Sequence, residues 1–533
     1  MILSKYCKIY PYKDPPGSLL LFSTKKASTI VIPKSMLKDI KISNSSASPL
    51  ADSNPPFPPL SKGGEGGFLE ENLSDEEKNT LIELGFLVND AEEEKKEMLH
   101  FMDEINSINN IFRAYVVMNL DCNLACKYCF EGTRKGKHYM TKETADEFVD
   151  FINSKIPLSP PFPKGDLRDN AATINRNIFP TLSEGDFPEE TRNITKVSDS
   201  LYLSKKPFSP TLAKGNKIDF PTLTKGGEGG FLDEIKLVFY GGEPLLSIDL
   251  IIYISERLKS LAETKGIKYS FSFITNGTLL TRNTVEKLKP LGLKDASVTL
   301  DGPRHIHDQY RPFKTGKGSF DVIVRNLKDV CEMMDVQIGG NYTRENYPEF
   351  PGLLDFLKDN GLTPDKVSDA RFDFVTNESE GIAPPDFHEG VMSLNEPWLF
   401  HANLFLREEI LKRGYRVDRI TPVSCMMEYK DRMIVNYDGS IYKCPGMIGR
   451  EVFKVGDIRT GIKDYSISHN LDNWKNEECL NCAYLPLCFG GCRYMKLVRD
   501  GNMDGIDCKR PYFDATLETL VKQDIKYGLT AGE

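Results

Sequence analysis

The sequence predicts an α/β fold with a parallel sheet or barrel, preceded by a small α+β unit and followed by a cysteine-rich region. From about residue 112, short apolar runs alternate with amphipathic helical patterns, which is typical of a parallel sheet. The preceding residues contain only short apolar runs and a capped helix, and cysteines dominate after residue 420. A chain of 533 residues is long enough for about three or four domains.

The small α+β unit is predicted over residues 1–105. Residues 19–22 and 29–32 are apolar runs joined by a polar turn, a pattern that favours a β-hairpin. Ser74 and Glu77 form a capping box that begins a helix, and Gly85 suits the position just after its end.

Two stretches, residues 46–72 and 158–232, are rich in Pro, Gly and Ser, and each contains the string KGGEGGFL. A phosphate-binding loop would need a strand before the glycines and Lys-Ser/Thr after them, and neither is present. We therefore predict that both stretches are disordered, repeat-derived insertions.

The barrel is predicted over residues 110–380, followed by linker helices over 381–415 and the cysteine-rich domain over 416–525. Six apolar runs are predicted strands: residues 114–118, 235–240, 270–274, 296–300, 335–339 and 371–375. Helical patterns lie between several of them, including residues 141–152 and a stripe at i, i+3, i+4 and i+7 spacing. That stripe consists of Phe320, Ile323, Val324, Leu327, Val330, Cys331 and Met334.

Composition limits the classes of partner. The chain has 68 Lys and Arg against 77 Asp and Glu, a net charge of −9, which disfavours a nucleic-acid partner. No apolar run approaches the ~20 residues that span a bilayer, and the N-terminus lacks the apolar core of a signal peptide. We therefore expect a cytoplasmic protein with no membrane partner. Ten of its twelve cysteines fall in two short regions, and in such a protein clustered cysteines bind metal more often than they form disulfides.

Cys122, Cys126 and Cys129 follow the first predicted barrel strand with C-x3-C-x2-C spacing. Three thiolates can hold three irons of a four-iron cluster and leave the fourth iron open. A structural zinc site needs four ligands, and the nearest histidine, His138, is not an obvious fourth. The spacing favours an iron–sulfur cluster over zinc.

The motifs at the strand ends resemble those of radical S-adenosylmethionine (SAM) enzymes. They are the cysteine loop, GGEP at residues 241–244, TNG at 275–277 and VTLDGPRHIHDQYR at 298–311. The resemblance implies a partial (β/α)6 barrel whose [4Fe–4S] cluster binds SAM, cleaves it reductively and so generates a 5′-deoxyadenosyl radical. It implies SAM contacts from Tyr128, Gly241, Gly242, Glu243, Pro244, Asn276, Thr299 and Arg311. Tyr128 is matched to the adenine, Thr299 to the ribose and Arg311 to the carboxylate. Adjacent glycines suit a close approach of backbone to a ligand. Taken singly, GGEP is often only a turn, and His305 or His307 could serve packing or the surface.

The remaining cysteine cluster resembles the SPASM domain that follows many radical SAM barrels; one or two zinc ribbons are the alternative. It comprises Cys425, Cys444, Cys479, Cys482, Cys488, Cys492 and Cys508. The resemblance assigns Cys479, Cys482, Cys488 and Cys508 to one auxiliary [4Fe–4S] cluster. It assigns Cys425, Cys444 and Cys492 to a second, whose fourth ligand is then open or is not cysteine. An open iron there could bind a substrate thiolate.

Three other positions refine this interpretation. Sulfatase-maturing relatives carry an Asp after the equivalent of Cys444, whereas this chain has Pro445. Proline cannot accept a proton, so formylglycine formation is disfavoured and no catalytic base is assigned. Cys7 and Cys331 are predicted not to be ligands, and Cys331 is expected to be buried on its helix.

The N-terminal unit resembles the PqqD-like, winged-helix-like recognition element of ribosomal-peptide (RiPP) maturases, in which a precursor leader adds as a strand. The alternative is a scaffold that packs on the barrel. We predict a radical SAM enzyme that modifies a precursor peptide, most simply by thioether cross-linking, with epimerisation or carbon–carbon bond formation left open. A flavodoxin or ferredoxin would supply electrons. The alternatives are a maturase of a folded enzyme, of sulfatase or quinohemoprotein type, a non-catalytic iron–sulfur electron carrier, and an RNA-modifying enzyme.

Overall fold

The computed structural model describes residues 1–36, 73–107, 110–129, 131–156, 194–196, 202–204, 232–376 and 390–529. The predicted insertion 46–72 and most of 158–232 lie outside the described residues. The strands are β1 (Ile2–Leu3), β2 (Cys7–Tyr12), β3 (Ser18–Ser23), β4 (Thr29–Pro33), β5 (Leu87–Val88), β6 (Ile111–Val117), β7 (Ile194–Lys196), β8 (Tyr202–Ser204), β9 (Glu234–Tyr240), β10 (Lys268–Thr275), β11 (Leu293–Thr299), β12 (Asp335–Tyr342), β13 (Val367–Phe374), β14 (Arg432–Val435), β15 (Ser440–Tyr442), β16 (Gly456–Asp457) and β17 (Gly461–Ile462). The helices are α1 (Asp75–Glu83), α2 (Ala91–Ser107), α3 (Lys142–Lys155), α4 (Ile248–Lys265), α5 (Arg282–Leu288), α6 (Arg304–Tyr310), α7 (Phe320–Val330), α8 (Phe350–Asp359), α9 (Pro397–Lys412), α10 (Glu477–Leu480), α11 (Leu485–Cys488), α12 (Arg493–Asp500) and α13 (Arg510–Lys526).

The barrel is built on six parallel strands in the order β13-β12-β11-β10-β9-β6. All six predicted strands are confirmed, although β13 begins four residues before the predicted run. Helices α3, α4, α5, α7 and α8 connect them, and their apolar residues share one hydrophobic core with alternate strand residues. The predicted stripe on α7 is buried, including Cys331 just beyond its last turn. The parallel order places the carboxyl ends of all six strands at one edge, where barrel enzymes place their chemistry.

The cysteine-rich region continues the barrel sheet beyond β6. Strand β14 pairs in parallel with β6, and β15, β16 and β17 follow as antiparallel neighbours. The sequence did not predict this continuation because these strands have only two to four residues. The pairing connects the strand that leads to Cys122 with the hairpin that leads to Cys444.

The N-terminal unit contains the predicted hairpin, formed by β3 and β4, with β2 on the other side of β3. Helix α1 has the predicted Ser74–Glu77 capping box, and Gly85 adopts a φ of +76°. One face of the sheet packs with α1 residues such as Leu81. The other face packs on Phe513, Leu517 and other residues of α11 and α13. The unit therefore packs on the cysteine-rich region. The alternative prediction had it pack on the barrel as a scaffold.

Two described strands lie within the predicted insertion 158–232. Strand β8 pairs antiparallel with β4, with Leu203 opposite Ile30, and β7 pairs with β8. The prediction of disorder is therefore wrong for residues 194–196 and 202–204. Their pairing means that β4 is an interior strand of its sheet.

Helix α9 lies in the predicted linker 381–415 and packs against α8 and α13. Across the described ranges, every helix is too short or too polar to cross a membrane.

Candidate active site

The loop that follows β6 carries Cys122, Cys126 and Cys129. Cys122 is buried and the other two are half-buried. Burial raises the pKa of the Cys126 thiol to about 12, with Arg311 lowering it and the Cys129 and Cys122 thiols raising it further. The three thiols therefore lie close enough to influence one another.

A cavity of about 340 Å³ opens beside these thiols. It is lined by Leu124, Ala125, Cys126, Cys129, Gly132, Lys135 and Lys314. Among the described residues, no three His, Cys, Asp or Glu side chains converge tightly enough to hold a single metal ion. The thiols of Cys126 and Cys129 line the cavity, and three thiols at this spacing are typical of a multi-iron cluster.

Lys135 lies beside all three thiols. Its ammonium donates a hydrogen bond to the carbonyl oxygen of Leu124 over 2.7 Å. Burial lowers the pKa of Lys135, but Cys129, Cys122 and Cys126 raise it, and the net pKa is above its ordinary value. The loop thus places a half-buried cation where thiolates or an anionic cluster would be stabilised.

Gly241 and Gly242 follow β9 and pack against the chain that leads to Cys122. A Cβ atom at Gly241, whose φ is +136°, would lie 2.3 Å from the carbonyl oxygen of Asn119, and one at Gly242 would lie 2.0 Å from that of Asp121. The Gly242 and Glu243 amides donate to these same oxygens over 3.0 and 2.8 Å. The close approach at these glycines is to the protein's own backbone, and the predicted approach to a ligand stays a prediction.

Glu243 ties the end of β9 to the end of β10. One carboxylate oxygen accepts from the Thr275 hydroxyl over 2.8 Å and the Leu245 amide over 3.1 Å, and the other accepts from the Asn276 amide over 2.8 Å. Burial raises its pKa, and these hydrogen bonds lower it. Because both oxygens are engaged, the side chain holds the two strand ends together. Pro244 follows it, buried at the start of a short 3-10 turn.

Asn276 lies beside the first cysteine. Its side-chain amide donates to the Asn123 oxygen over 2.8 Å and to the Cys122 sulfur over 3.6 Å. Its oxygen accepts from the backbone amide of Thr278 over 3.0 Å. The predicted cofactor contact is therefore engaged with the cysteine loop.

Tyr128 and Arg311, predicted to contact SAM, meet in a buried network with Asp301 and Asn341. The Tyr128 hydroxyl bonds to the Asp301 carboxylate, and it accepts from Arg311 over 2.9 Å and from Asn341 over 3.1 Å. Arg311 Nη1 lies 3.9 Å from Asp301. Thr299 is half-buried at the end of β11, two residues before Asp301.

This network has a free donor. Arg311 Nε is buried and has no hydrogen-bond partner within the part of the chain that the structure describes. A buried guanidinium N–H without a partner is costly and suits a carboxylate ligand. Sequence reasoning missed Asp301 and Asn341, although both lie near the carboxyl ends of predicted strands, where barrel sites form.

His307 supports this network from behind and has no exposed surface. Its Nδ1 accepts from the Asp301 amide over 3.2 Å, so its Nε2 donates to the Ser319 hydroxyl over 2.9 Å. Ser319 then donates to the carbonyl oxygen of Arg311 over 2.7 Å. His307 is a buried positioning residue, whereas His305 is exposed beside Glu349.

The four cysteines assigned to one auxiliary cluster come together in the C-terminal region. Cys479, Cys482, Cys488 and Cys508 all line a second, smaller cavity. Burial raises the pKa of Cys479 to about 11, with Asn476 lowering it and the other three thiols raising it. The cavity also holds the side chain of Arg510, which hydrogen-bonds to Cys482. Four thiols around one cavity match the ligand set of a fully ligated cluster.

The N-terminal unit holds this second group in place. The Thr24 hydroxyl donates to the carbonyl oxygen of Ala483 over 2.6 Å, and the Tyr6 hydroxyl donates to that of Leu480 over 3.2 Å. Met98 and Met102 of α2 share a core with Trp474 and other residues around Cys479.

Cys425, Cys444 and Cys492 form a separate group. Burial raises the pKa of Cys444 well above its ordinary value, and Cys492 and Cys425 raise it further. Pro445 begins a short 3-10 turn directly after Cys444. Cys7 and Cys331 lie in two other hydrophobic cores.

Residues 232–357 match the family model of the radical SAM superfamily. The chain is 26% identical over 312 residues to a cysteine-type anaerobic sulfatase-maturating enzyme of Clostridium novyi. The alignment covers 53% of this chain and 80% of that protein. It is 34% identical over 128 residues to an Fe-coproporphyrin III synthase of Methanosarcina barkeri, over 24% of this chain and 29% of that enzyme.

The structure is similar to that of native anSMEcpe with bound AdoMet and the Kp18Cys peptide. The TM-score is 0.53 at 16% identity, over 77% of this chain and 98% of that chain. The chain therefore has a radical SAM domain and fold. Enzymes of this superfamily use a [4Fe–4S] cluster and SAM, and relatives with a SPASM domain carry auxiliary clusters.

Proposed function

We propose that this radical SAM enzyme modifies a residue of a ribosomally made precursor peptide, with thioether cross-linking as the favoured outcome. The observation that carries the proposal is the placement of Cys122, Cys126 and Cys129 beside a buried network that offers an unpaired guanidinium donor. Bound there, a [4Fe–4S] cluster and SAM supply reductive carbon–sulfur cleavage and a radical that abstracts a hydrogen atom.

The residues of the site divide into ligands and positioning residues. We assign Cys122, Cys126 and Cys129 to the cluster, and Arg311 to the SAM carboxylate through its free Nε donor. Thr299 and Tyr128 remain our assignments for the ribose and the adenine.

Glu243 and Asn276, first predicted as cofactor contacts, are better explained as positioning residues. Glu243 joins two strand ends and Asn276 holds the cysteine loop. Gly241 and Gly242 bring the GGEP segment, which Pro244 ends, against the same loop. Together they fix the loop's position relative to the barrel.

The C-terminal cysteines support two auxiliary clusters. We assign Cys479, Cys482, Cys488 and Cys508 to a fully ligated one. Cys425, Cys444 and Cys492 would provide three ligands to the other and leave a position for a thiolate of the substrate. A cysteine thiolate held there would be a natural partner for a radical formed elsewhere on the peptide.

Peptide recognition by the N-terminal sheet is part of the proposal. Because β4 is paired with β8 and β8 with β7, a leader that adds as a strand must use the β2 edge or the β7 edge, or displace β8. Main-chain hydrogen bonds at either edge would give affinity, and side-chain pockets would give selectivity.

The second candidate is maturation of a folded enzyme. The similarity to a sulfatase-maturating enzyme favours it. Pro445 argues against formylglycine chemistry, because its side chain cannot accept a proton.

Products distinguish the candidates. Anaerobically reconstituted enzyme, reduced with dithionite, should form 5′-deoxyadenosine from SAM, whereas an electron carrier should form none. With a cysteine-containing peptide encoded beside the gene, we expect mass spectrometry to show loss of two hydrogen atoms with sulfur retained, and the cysteine should not react with iodoacetamide after reduction. A carbon–carbon cross-link would lose the same two hydrogen atoms but leave the thiol reactive. Loss of sulfur from a cysteine would indicate formylglycine, and a change of stereochemistry at constant mass would indicate epimerisation. Either outcome would overturn the thioether proposal.

A further inference from the structure

The loops around the first cysteine group carry a cluster of basic side chains in a chain whose net charge is −9. We call this the lysine patch, and its members are Lys127, Arg134, Lys135, Lys137, Lys314 and Lys317. Lys127, Lys137, Lys314 and Lys317 are exposed. The acidic residues on the same loops are Asp121, which is paired with Lys314 over 2.8 Å, and Glu131, which is buried. The patch is therefore a positive surface on an acidic protein.

Backbone hydrogen bonds hold the two loops of the patch together. The Lys314 amide donates to the Asn123 carbonyl oxygen over 3.0 Å, and the Lys127 amide donates to that of Tyr310 over 3.0 Å. The Gly136 amide donates to the carbonyl oxygen of Leu120 over 3.1 Å. These bonds fix the backbones of the loops that carry the patch, and two of its members, Lys135 and Lys314, line the cysteine cavity.

The cavity reaches the surface at this patch. Lys135 and Lys314 line it together with Cys126 and Cys129, and Ala125 and Lys314 are exposed. Asp301 and Arg311 of the polar network are buried, Tyr128 is half-buried, and none of the three lines this cavity. A protein that covers the patch would approach the cysteines without entering the substrate side of the barrel.

We propose that the lysine patch is the docking surface for an acidic, low-potential electron-transfer protein of the flavodoxin or ferredoxin type. The inference rests on the proposed function, because it assumes a cluster at Cys122, Cys126 and Cys129. In the transfer the donor loses one electron and the cluster gains it, with no bond formed or broken. Opposite charges steer such encounters and are screened by salt.

The test is a double charge reversal, Lys137→Glu with Lys317→Glu, compared with Lys265→Glu with Lys268→Glu. All four lysines are exposed, and the control pair lies where β10 begins, at the opposite end of the sheet. Binding of an acidic flavodoxin is measured by calorimetry at low and high salt. SAM cleavage is measured with reduced flavodoxin and, separately, with dithionite.

We expect the patch variant to bind flavodoxin about tenfold more weakly at low salt, with the difference reduced at high salt. Its flavodoxin-driven SAM cleavage should fall, while its dithionite-driven cleavage and melting temperature stay at the parent's values. Equal flavodoxin binding by patch and control variants would overturn the inference. A fall in dithionite-driven cleavage at an unchanged melting temperature would also overturn it, because the patch would then serve the substrate. If the parent cleaves no SAM with dithionite, the proposed function fails, while the binding measurement still tests the docking surface.

Discussion

The barrel cysteine loop and the Cys479 group both present cysteine thiols, but the side chains that surround the two groups differ. The barrel loop has three thiols, a cavity that reaches the surface and a buried polar network beside it. The Cys479 group has four thiols around a small cavity, walled by apolar side chains from the N-terminal unit and the C-terminal helices. A set of three leaves a coordination position for chemistry, whereas a set of four is closed. We therefore propose that the first site reacts and that the second stabilises the fold and carries electrons.

Replacing a ligand of each site gives the largest expected effect. Cys126→Ala should remove about four irons per chain and reduce SAM cleavage to background, because the remaining pair of thiols cannot hold an open-cornered cluster. Iron analysis and 5′-deoxyadenosine formation measure both effects. Cys331→Ala, which alters a buried cysteine of the barrel core, should keep the parent's iron content.

Cys482→Ala should also remove about four irons, but SAM cleavage with dithionite should stay within about twofold of the parent per intact barrel cluster. Peptide modification should be lost, and thermal stability should fall because the group joins α10 and α11 to the segment before α13. If SAM cleavage falls as far as in Cys126→Ala, the division into a reactive and a stabilising site is wrong.

Asp301→Asn alters the polar network of Tyr128, Arg311 and Asn341 beside the barrel cysteines. It leaves the Arg311 guanidinium without its buried counter-charge, so the free energy of unfolding should fall by about 3 kcal/mol. The KM for SAM should rise as Tyr128 and Arg311 lose their anchor. Urea unfolding measures the first effect, and Asp335→Asn, at an exposed position, should change it by less than about 0.5 kcal/mol.

Lys135→Met should produce the smallest effect. Removing a half-buried positive charge beside the thiols destabilises the reduced cluster, so its midpoint potential should fall by on the order of 50 mV. Redox titration followed by electron paramagnetic resonance should show no change at the auxiliary clusters. Lys314→Met should shift the potential less, since its exposed ammonium is already paired with Asp121. Equal shifts of the midpoint potential in the two variants would contradict the prediction that the half-buried Lys135 influences the cluster more than the exposed Lys314.

Much of the barrel could be predicted because its signals are local. Strands such as β6 and β9 contain short apolar runs, and the stripe on α7 repeats with helical periodicity. The first cysteine group could be predicted from its spacing, and the family resemblance divided the other seven cysteines into two groups; the thiols assigned to each group do lie together. The resemblance also assigned Tyr128 and Arg311 to one cofactor, but their direct hydrogen bond was not predicted.

The remainder depends on contacts between distant segments. Asn341 has no motif of its own, and it joins the network only because β12 lies beside β11. Strands β14 to β17 are too short to show alternation. The contacts of Gly241 and Glu243 could not be predicted, since the backbone and the strand ends that they contact come from elsewhere in the chain. Nothing in the sequence indicated that the N-terminal sheet faces α13.

That last contact has a consequence for how the protein is made. Leu20 and Phe22 of β3 are buried against Leu517 and Val521 of α13, so the ribosome must translate roughly 500 further residues before the partner helix exists. At roughly 5–20 residues per second, one apolar face of the first sheet stays uncovered for on the order of a minute. The Cys479 group, which includes Cys508, is completed only after the barrel cysteines have been translated.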